Sequence, residues 1–410
     1  MIVRVLGSLA AGVVFFAAEA RAFEKIAFID GWDYGHIFET ETREGTGKVL
    51  DNVLKTGADT VLWRTHSGAV PRYASAQEDL DALEMPFDRR RMPDARTMQN
   101  WMKVWAMEPD ALQVVFEECA KRPQIRRRGV HMLLEDAHWQ FCFLGNWNLE
   151  HPQYMCRDVD GTVQMFHQSF AFSEVVRHRL AIAEEIVGRG AQTVFLDAFR
   201  NGGWSPQVEY TGPNLAEWER RHPGERPPKW NDGSWPRWKE WVEIVGRGLH
   251  DYLRGMRELT RARGVRFIIN IDYLGDTDPG TMFSTRGFDW RELVKDGTVD
   301  GLAVTGINAD EKDPFGSVER RFKRVADQVK AAGCTVYFPI LAYNFSKSRP
   351  SFGQMAKWAG VKPEESVRKL LEIAARCGAA GIVMECVDYG NYPEDVCKVI
   401  REFETAGSHK

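Results

Sequence analysis

The chain has no Cys-x-x-Cys pair, and its seven cysteines (Cys119, Cys142, Cys156, Cys334, Cys377, Cys386 and Cys397) show no zinc-ligand spacing. An odd number leaves at least one thiol outside any disulfide; Cys142 and Cys156 are spaced to pair across one loop in an oxidising compartment. No Gly-x-Gly-x-x-Gly follows the first apolar run, where FIDGWDYGH stands instead, which argues against a dinucleotide-binding open sheet. No Gly-x-Ser-x-Gly elbow supports serine-nucleophile chemistry. A His-x-His pair at the first strand, the mark of one class of metal hydrolase, is replaced by Asp30-Gly31-Trp32-Asp33. Strong basic charge is missing too: the net charge is −4, which excludes broad nucleic-acid binding. The basic runs Arg89–Arg91 and Arg126–Arg128 read as solvated surface. There is no low-complexity tract and no Ser/Gly linker, so the 410 residues read as one folded unit after a short leader.

The leader is residues 1–22. Arg4 precedes an apolar stretch from Val5 to Ala18, and Ala20-Arg21-Ala22 fits a small-x-small cleavage site. The expectation is an export signal cleaved after Ala22, a mature chain of residues 23–410 in the periplasm or secreted, and no membrane anchor.

What the chain does have is rhythm. Eight apolar runs recur: KIAFID, DTVLWR, GVHMLLED, TVFLD, VRFIINID, GLAVTGIN, TVYFPILAYN and GIVMECVD. Amphipathic stretches such as SEVVRHRLAIAEEIVGRG and PEESVRKLLEIAARCG lie between them. Gly57, Gly129, Gly264, Gly301, Gly333 and Gly381 stand at or just before the runs, where glycine lets a helix stop and the chain turn back into a sheet. Strand and helix alternating eight times predicts a single α/β domain, a (β/α)8 barrel with long loops after strands two, three and four. The fourth loop carries Pro206, Pro213, Pro223, Pro227 and Pro228, which predicts a shaped wall.

Polar residues collect where the runs end, and barrel active sites lie at that end. Asp197 closes TVFLD, a costly place for a carboxylate unless something holds it, and Arg200 stands three residues on as a candidate partner. Asp272 ends the fifth run, and Glu385 stands in the eighth, three residues before its end. Two carboxyls in one barrel mouth, one ionised and one protonated, suit glycoside hydrolysis. Asp197 is therefore the expected nucleophile or base, with Asp272 or Glu385 as the acid and Glu135 third. Trp32, Arg64, His66, Arg200, Asn308 and Tyr343 are expected to bind and orient sugar. The 14 tryptophans fit, since aromatic faces stack on sugar rings, and Trp32, Trp139, Trp147 and Trp204 are candidate subsites. Trp235, Trp238 and Trp241 recur at helical spacing and read as helix packing, and Trp63 reads as core. The substrate class is a poly- or oligosaccharide, with no cofactor and no resident metal called for. Two rivals remain: a non-catalytic barrel that binds glycans, and a metal-dependent hydrolase using Asp, Glu and His.

The stretch from His151 to Arg200 resembles the middle of the family-10-like glycosyl-hydrolase barrels of bacteria. The likeness rests on His151-Pro152, Asp160-Gly161, Ser173-Glu174-Val175 and the strand-four L-D-x-x-R motif at Leu196-Asp197-Ala198-Phe199-Arg200; DGSWPRWKEWVEIVGRGLHDYLR resembles the helix before strand five. SEVV stands where the family usually has P-E-V-R. The resemblance implies a secreted (β/α)8 protein acting on glycans. A chitinase-type D-x-D-x-E ending is not present, because Phe199 occupies the place of an acid.

Overall fold

The computed structural model describes residues 23–29, 42–67, 70–71, 73–77, 103–104, 106–134, 146–198, 205–229, 235–272, 287–305, 307–342, 351–385 and 392–404. Eight parallel strands close into a barrel: β1 (Glu24–Ile29), β2 (Thr60–Arg64), β3 (Arg127–Leu133), β4 (Thr193–Asp197), β5 (Arg266–Asp272), β6 (Gly301–Thr305), β7 (Thr335–Leu341) and β8 (Gly381–Glu385). Each falls on one of the eight apolar runs. They are readable as such because a parallel strand is covered on both faces and so has no polar side to show. The helices that follow them in turn are α1 (Arg43–Leu54), α2 (Ala111–Ala120), α3 (Ser173–Gly188), α4 (Trp235–Ala262), α5 (Trp290–Lys295), α6 (Pro314–Ala331), α7 (Pro363–Arg376) and α8 (Glu394–Glu402).

Local chemistry starts several of these helices. Thr42 caps α1 by accepting from the Gly45 amide, Asp110 caps α2 through the Leu112 and Gln113 amides, and Asp313 caps α6 through Gly316 with Pro314 in the first turn. The glycines near the strands divide into two kinds. Gly264 and Gly333 take φ of +65° and +75° and turn the chain from helix to strand. Gly301, inside β6, is there for space: a methyl group on it would collide with Thr335 and the Tyr337 ring. The expectation of one shared role is corrected accordingly.

Alternation along the strands separates two cores. Outward side chains such as Val61, Trp63, Met132, Leu196, Ile269 and Met384 join the large cluster between barrel and helices. Inward ones, Ile26, Phe28, Leu62, Phe195, Ile268, Ala303, Tyr337 and Val383, form a plug that fills the barrel. Trp63 is core, as expected.

The long loops carry structure of their own. A hairpin pairs His66–Ser67 with Val70–Pro71 after β2, and a second pairs Met155–Arg157 with Val163–Gln168 after β3. After β4, Tyr210, Trp218, Trp238 and Trp241 build a separate apolar cluster. The polar tips of three of them clip loop carbonyls: Tyr210 Oη donates to Pro228, Trp218 Nε1 to Glu225 and Trp241 Nε1 to Pro206. That is the shaped wall predicted from the prolines, with Trp238 and Trp241 packing as their spacing suggested. The third and fourth loops also join, through the Tyr210 amide to Arg157 O (3.1 Å) and the buried Glu209 carboxylate, which accepts from Ser169 Oγ (2.6 Å) and Asn214 Nδ2 (3.1 Å). Cys156 Sγ donates to the same carboxylate at 3.5 Å, while Cys142 lies outside the described residues. Among the described residues no helix is long and apolar enough to cross a membrane; residues 1–22, the expected signal, lie outside them.

Candidate active site

The strand register arranges the inward side chains in levels. Phe28 pairs with Leu62 and with Glu385, Leu133 with Asp197, Asp197 with Asn270, and Thr305 with Asp272. In an eight-stranded barrel with this stagger, inward residues from alternate strands share a level. The level at the C-terminal end is Arg64, Asp197, Thr305 and Glu385, from β2, β4, β6 and β8: every member is polar. Beneath it stand Phe28, His131, Asn270 and Pro339 from the odd strands. Below those come Leu62, Phe195, Ala303 and Val383, which are apolar throughout. The polar layer therefore caps a greasy plug, and Asp197 and Glu385 stand on strands half the ring apart.

Asp197 is gripped on both oxygens. His131 Nε2 lies 3.1 Å from Oδ2, and Asn270 Nδ2 donates to Oδ1 at 3.0 Å. Thr305 Oγ1 lies 3.2 Å from Asn270 Oδ1 and 3.2 Å from the Ile271 carbonyl. The His131 ring packs against Phe28 and Phe195, with centroids 4.8 and 5.8 Å away. Backbone ties steady the strand tips: Thr65 N donates to His131 O, Arg179 Nη2 donates to Leu133 O and Leu134 O, and the Tyr392 hydroxyl is 2.8 Å from Ile340 O and 3.1 Å from Glu385 O.

The expected site residues fall into three groups. Asp197, Glu385 and Arg64 are brought together in one layer, and all three are buried; Asp197 is 0% exposed and Glu385 3%. An open carboxylate on the barrel rim was the expectation for Asp197. Instead it is fully buried, and in the barrel register Leu133 and Leu341 stand one level nearer the C-terminal end. His66 and Asn308 have structural attachments: His66 O accepts from Arg64 Nε (2.7 Å), His66 Nδ1 is 2.9 Å from Thr65 Oγ1, and Asn308 O accepts from Arg321 Nη1 (2.6 Å). Asp272 ends β5, but its side chain lies outside the described residues, as do Trp32, Glu135, Arg200 and Tyr343, with Trp139 and Trp204. Trp147 is no open platform: its indole stacks with His178 (4.3 Å, 9°) and His151 (4.6 Å, 23°) and packs on the main core. Among the described residues no group of three or more His, Cys, Asp or Glu is placed to hold a metal ion.

Sequence reasoning missed His131 and Thr305. Thr305 is the polar exception on the inward face of β6, and His131 stands between Gly129 and Leu133 on that of β3; those polar positions were the available signal. It gains meaning only once the register puts them beside Asp197.

No family model matches the chain, and no curated protein matches it in sequence. Solved structures do match in fold. The glycoside hydrolase domain of PgaB (BpsB) from Bordetella bronchiseptica aligns with a TM-score of 0.57 at 12% identity, over 94% of this chain and 99% of that one. Alpha-L-fucosidase isoenzyme 2 from Paenibacillus thiaminolyticus aligns at 0.51 and 12%, over 92% of this chain and 48% of that one. The beta-galactosidase of Marinomonas ef1 gives 0.50 and 10%, over 92% and 58%. The class is thus a (β/α)8 barrel of the kind these hydrolases share. At such identities the likeness is one of fold.

Proposed function

We propose that the protein is an exported glycoside hydrolase, related to the family-10-like barrels, that cleaves a poly- or oligosaccharide with Asp197 and a second carboxyl. The observation that carries the reading is the all-polar layer at the C-terminal end of the barrel, with Asp197 and Glu385 on facing strands. Packing does not call for such a layer, since burying two carboxyls costs free energy that apolar side chains at the same positions would not. A glycosidic bond between them would find its acid and base. The acid gives its proton to the glycosidic oxygen as the bond from the anomeric carbon breaks and its electron pair leaves with that oxygen. Asp197 then either bonds to the anomeric carbon, to be displaced later by water, or takes the proton of a water that bonds there. Asp272 and Glu135 remain candidates for the acid beside Glu385, and Trp32, Arg200 and Tyr343 for sugar contacts, with Arg64 behind them in the layer.

The test is release of reducing ends from a panel of polysaccharides by the purified protein, by Asp197→Asn and by Glu385→Gln. Wild-type turnover in Asp197→Asn would overturn the assignment. The full burial of Asp197 favours a second reading, a catalytically silent barrel that binds glycans at its rim; binding without any release of reducing ends is its signature. Activity lost to a chelator and restored by a divalent ion would instead favour the metal-dependent hydrolase.

A further inference from the structure

The ends of barrel strands leave carbonyl oxygens that the ladder does not use, and a buried one must be met by a donor. At the C-terminal end two such donors reach in from outside the strands. Arg179 of α3, 5% exposed, places Nη2 3.1 Å from Leu133 O and 3.2 Å from Leu134 O. The Leu134 amide in turn donates to the Asp197 carbonyl at 3.2 Å. One guanidinium thus fixes the tip of β3 and, through a single peptide, the backbone of Asp197 on β4. Half the ring away, the Tyr392 hydroxyl stands between β7 and β8, 2.8 Å from Ile340 O and 3.1 Å from Glu385 O. Its one proton is shared by carbonyls on neighbouring strands, so those strands cannot part at the tip without losing it. Tyr392 is itself anchored. Cys397 Sγ of α8 donates to its carbonyl at 3.3 Å, and its ring packs on Phe352 with centroids 5.6 Å apart. Burial pushes the Cys397 thiol up, which favours its donating form.

The two clips share a placement. Each is a buried side chain rooted behind the barrel, in α3 or just before α8, and each acts on backbone at one of the two carboxyls of the polar layer. A clip on backbone fixes where an acid stands in the ring, whatever else its carboxyl meets. What it controls is the separation of Asp197 and Glu385, the quantity on which a glycosidic bond held between them depends. We infer that Arg179 and Tyr392 are positioning residues that set the spacing of Asp197 and Glu385 by clipping strand-tip carbonyls from behind. Their role in turnover rests on the glycosidase reading; the mechanical half, two strand tips held by outside donors, does not.

The test compares variants of the full chain: Arg179→Met, Arg179→Lys, Tyr392→Phe and, as the control, Tyr337→Phe, which loses a buried hydroxyl at the opposite end of the same barrel. Hydrogen exchange followed by mass spectrometry reads the tips without any substrate. Peptides covering the ends of β3 and β4 are expected to exchange about tenfold faster in Arg179→Met, and those covering the ends of β7 and β8 in Tyr392→Phe. Arg179→Lys, which keeps a cationic donor on a flexible stem, is expected to recover part of the protection. With whichever glycan the wild type cleaves, kcat is expected to fall roughly 10- to 100-fold in Arg179→Met and Tyr392→Phe, with KM little changed. Tyr337→Phe is expected to lose stability in urea and keep its kcat. Should Arg179→Met fail to fold, Tyr392→Phe, which keeps the ring and its packing, decides against the same control. A kcat that falls alike in Tyr392→Phe and Tyr337→Phe, or in neither, overturns the inference. Looser tips in a protein that cleaves no glycan would uphold the clips and sink the glycosidase. Cleavage with kcat unmoved in the folded clip variants would do the reverse.

Discussion

Glu24, near the N-terminal end of β1, and Asp197, at the C-terminal end of β4, are both carboxylates buried inside one barrel, and their partners differ in kind. Glu24 is neutralised. Arg266 donates to both of its oxygens (2.7 and 2.8 Å), Thr60 Oγ1 and Tyr337 Oη donate at 2.5 and 3.0 Å, and Arg127 stands 3.6 Å off. Burial pushes the Glu24 pKa up, but the hydrogen bonds and charge of Arg266, with Thr60 and Arg127, outweigh it and bring the value down to about 2. Asp197 is held by an imidazole and an amide. A carboxylate locked against a guanidinium on both oxygens is chemically quiet, whereas the contacts described for Asp197 are with an imidazole and an amide. The floor of the barrel is a neutralised ion pair, whereas the layer at the mouth is polar throughout.

The sharpest way to break that contrast is to neutralise each acid in turn. Asp197→Asn should keep the fold and lower turnover by about 10³-fold or more, measured with whichever glycan the wild type cleaves. Glu24→Gln should do the opposite. It strands the Arg266 guanidinium in a mostly buried site, at a cost of about 3–5 kcal/mol in urea unfolding, and leaves the pH profile of any remaining activity in place. If both variants lose stability equally with no kinetic difference, Asp197 is another structural acid. The same pair predicts a pH dependence. Because the folded value for Glu24 lies below its ordinary 4.5, its contribution is complete above about pH 4.5 and is lost as the pH falls towards about 2. Unfolding free energy should drop across that window in the wild type and drop less steeply in Glu24→Gln.

This contrast could not have been read from the linear chain. All eight strands were legible, because each is an apolar run bounded by glycine or acid, and Asp197 stood out as an acid at the end of one. Arg200, the expected partner of Asp197, lies outside the described residues; the partners that are described come from β3 and β5, 66 and 73 residues away. Such distances are fixed by barrel closure and stagger, which leave no local trace. The tryptophans show the same limit: helical spacing disclosed the packing of Trp238 and Trp241, but nothing near Trp147 announced that His178 would stack on it. Arg126–Arg128 read as solvated surface, and Arg126 and Arg127 are exposed; what the run did not show is that Arg126 pairs with Asp59, Arg127 reaches Glu24, and the Arg128 guanidinium lies over the Phe116 ring.

Within the floor the comparison can be graded. Tyr337→Phe keeps the ring in the apolar plug and removes only the hydroxyl, which donates to Glu24 and accepts from Arg266 Nη1 (2.9 Å). Burial, then the charge of Glu24, pushes that hydroxyl's pKa upward, which favours its protonated, donating form. Its loss should cost about 2 kcal/mol in urea unfolding, less than the loss of Glu24 itself, because Arg266 still closes the pair. A cost equal to that of Glu24→Gln would mean that the hydroxyl, and not the guanidinium, stabilises the charge.

Arg127→Gln is the smallest of these tests. Its guanidinium is half exposed and 3.6 Å from Glu24, beyond hydrogen-bond distance, so water and salt screen what attraction there is. The expected loss is below about 1 kcal/mol and should shrink further at high ionic strength. The Glu24–Arg266 pair, at 10% and 17% side-chain exposure, should respond little to the same salt. If Arg127→Gln instead costs as much as Tyr337→Phe and ignores salt, the floor is neutralised by two arginines rather than one. The Glu24 site would then be a three-member ion network, which would widen its difference from the imidazole and amide contacts described for Asp197.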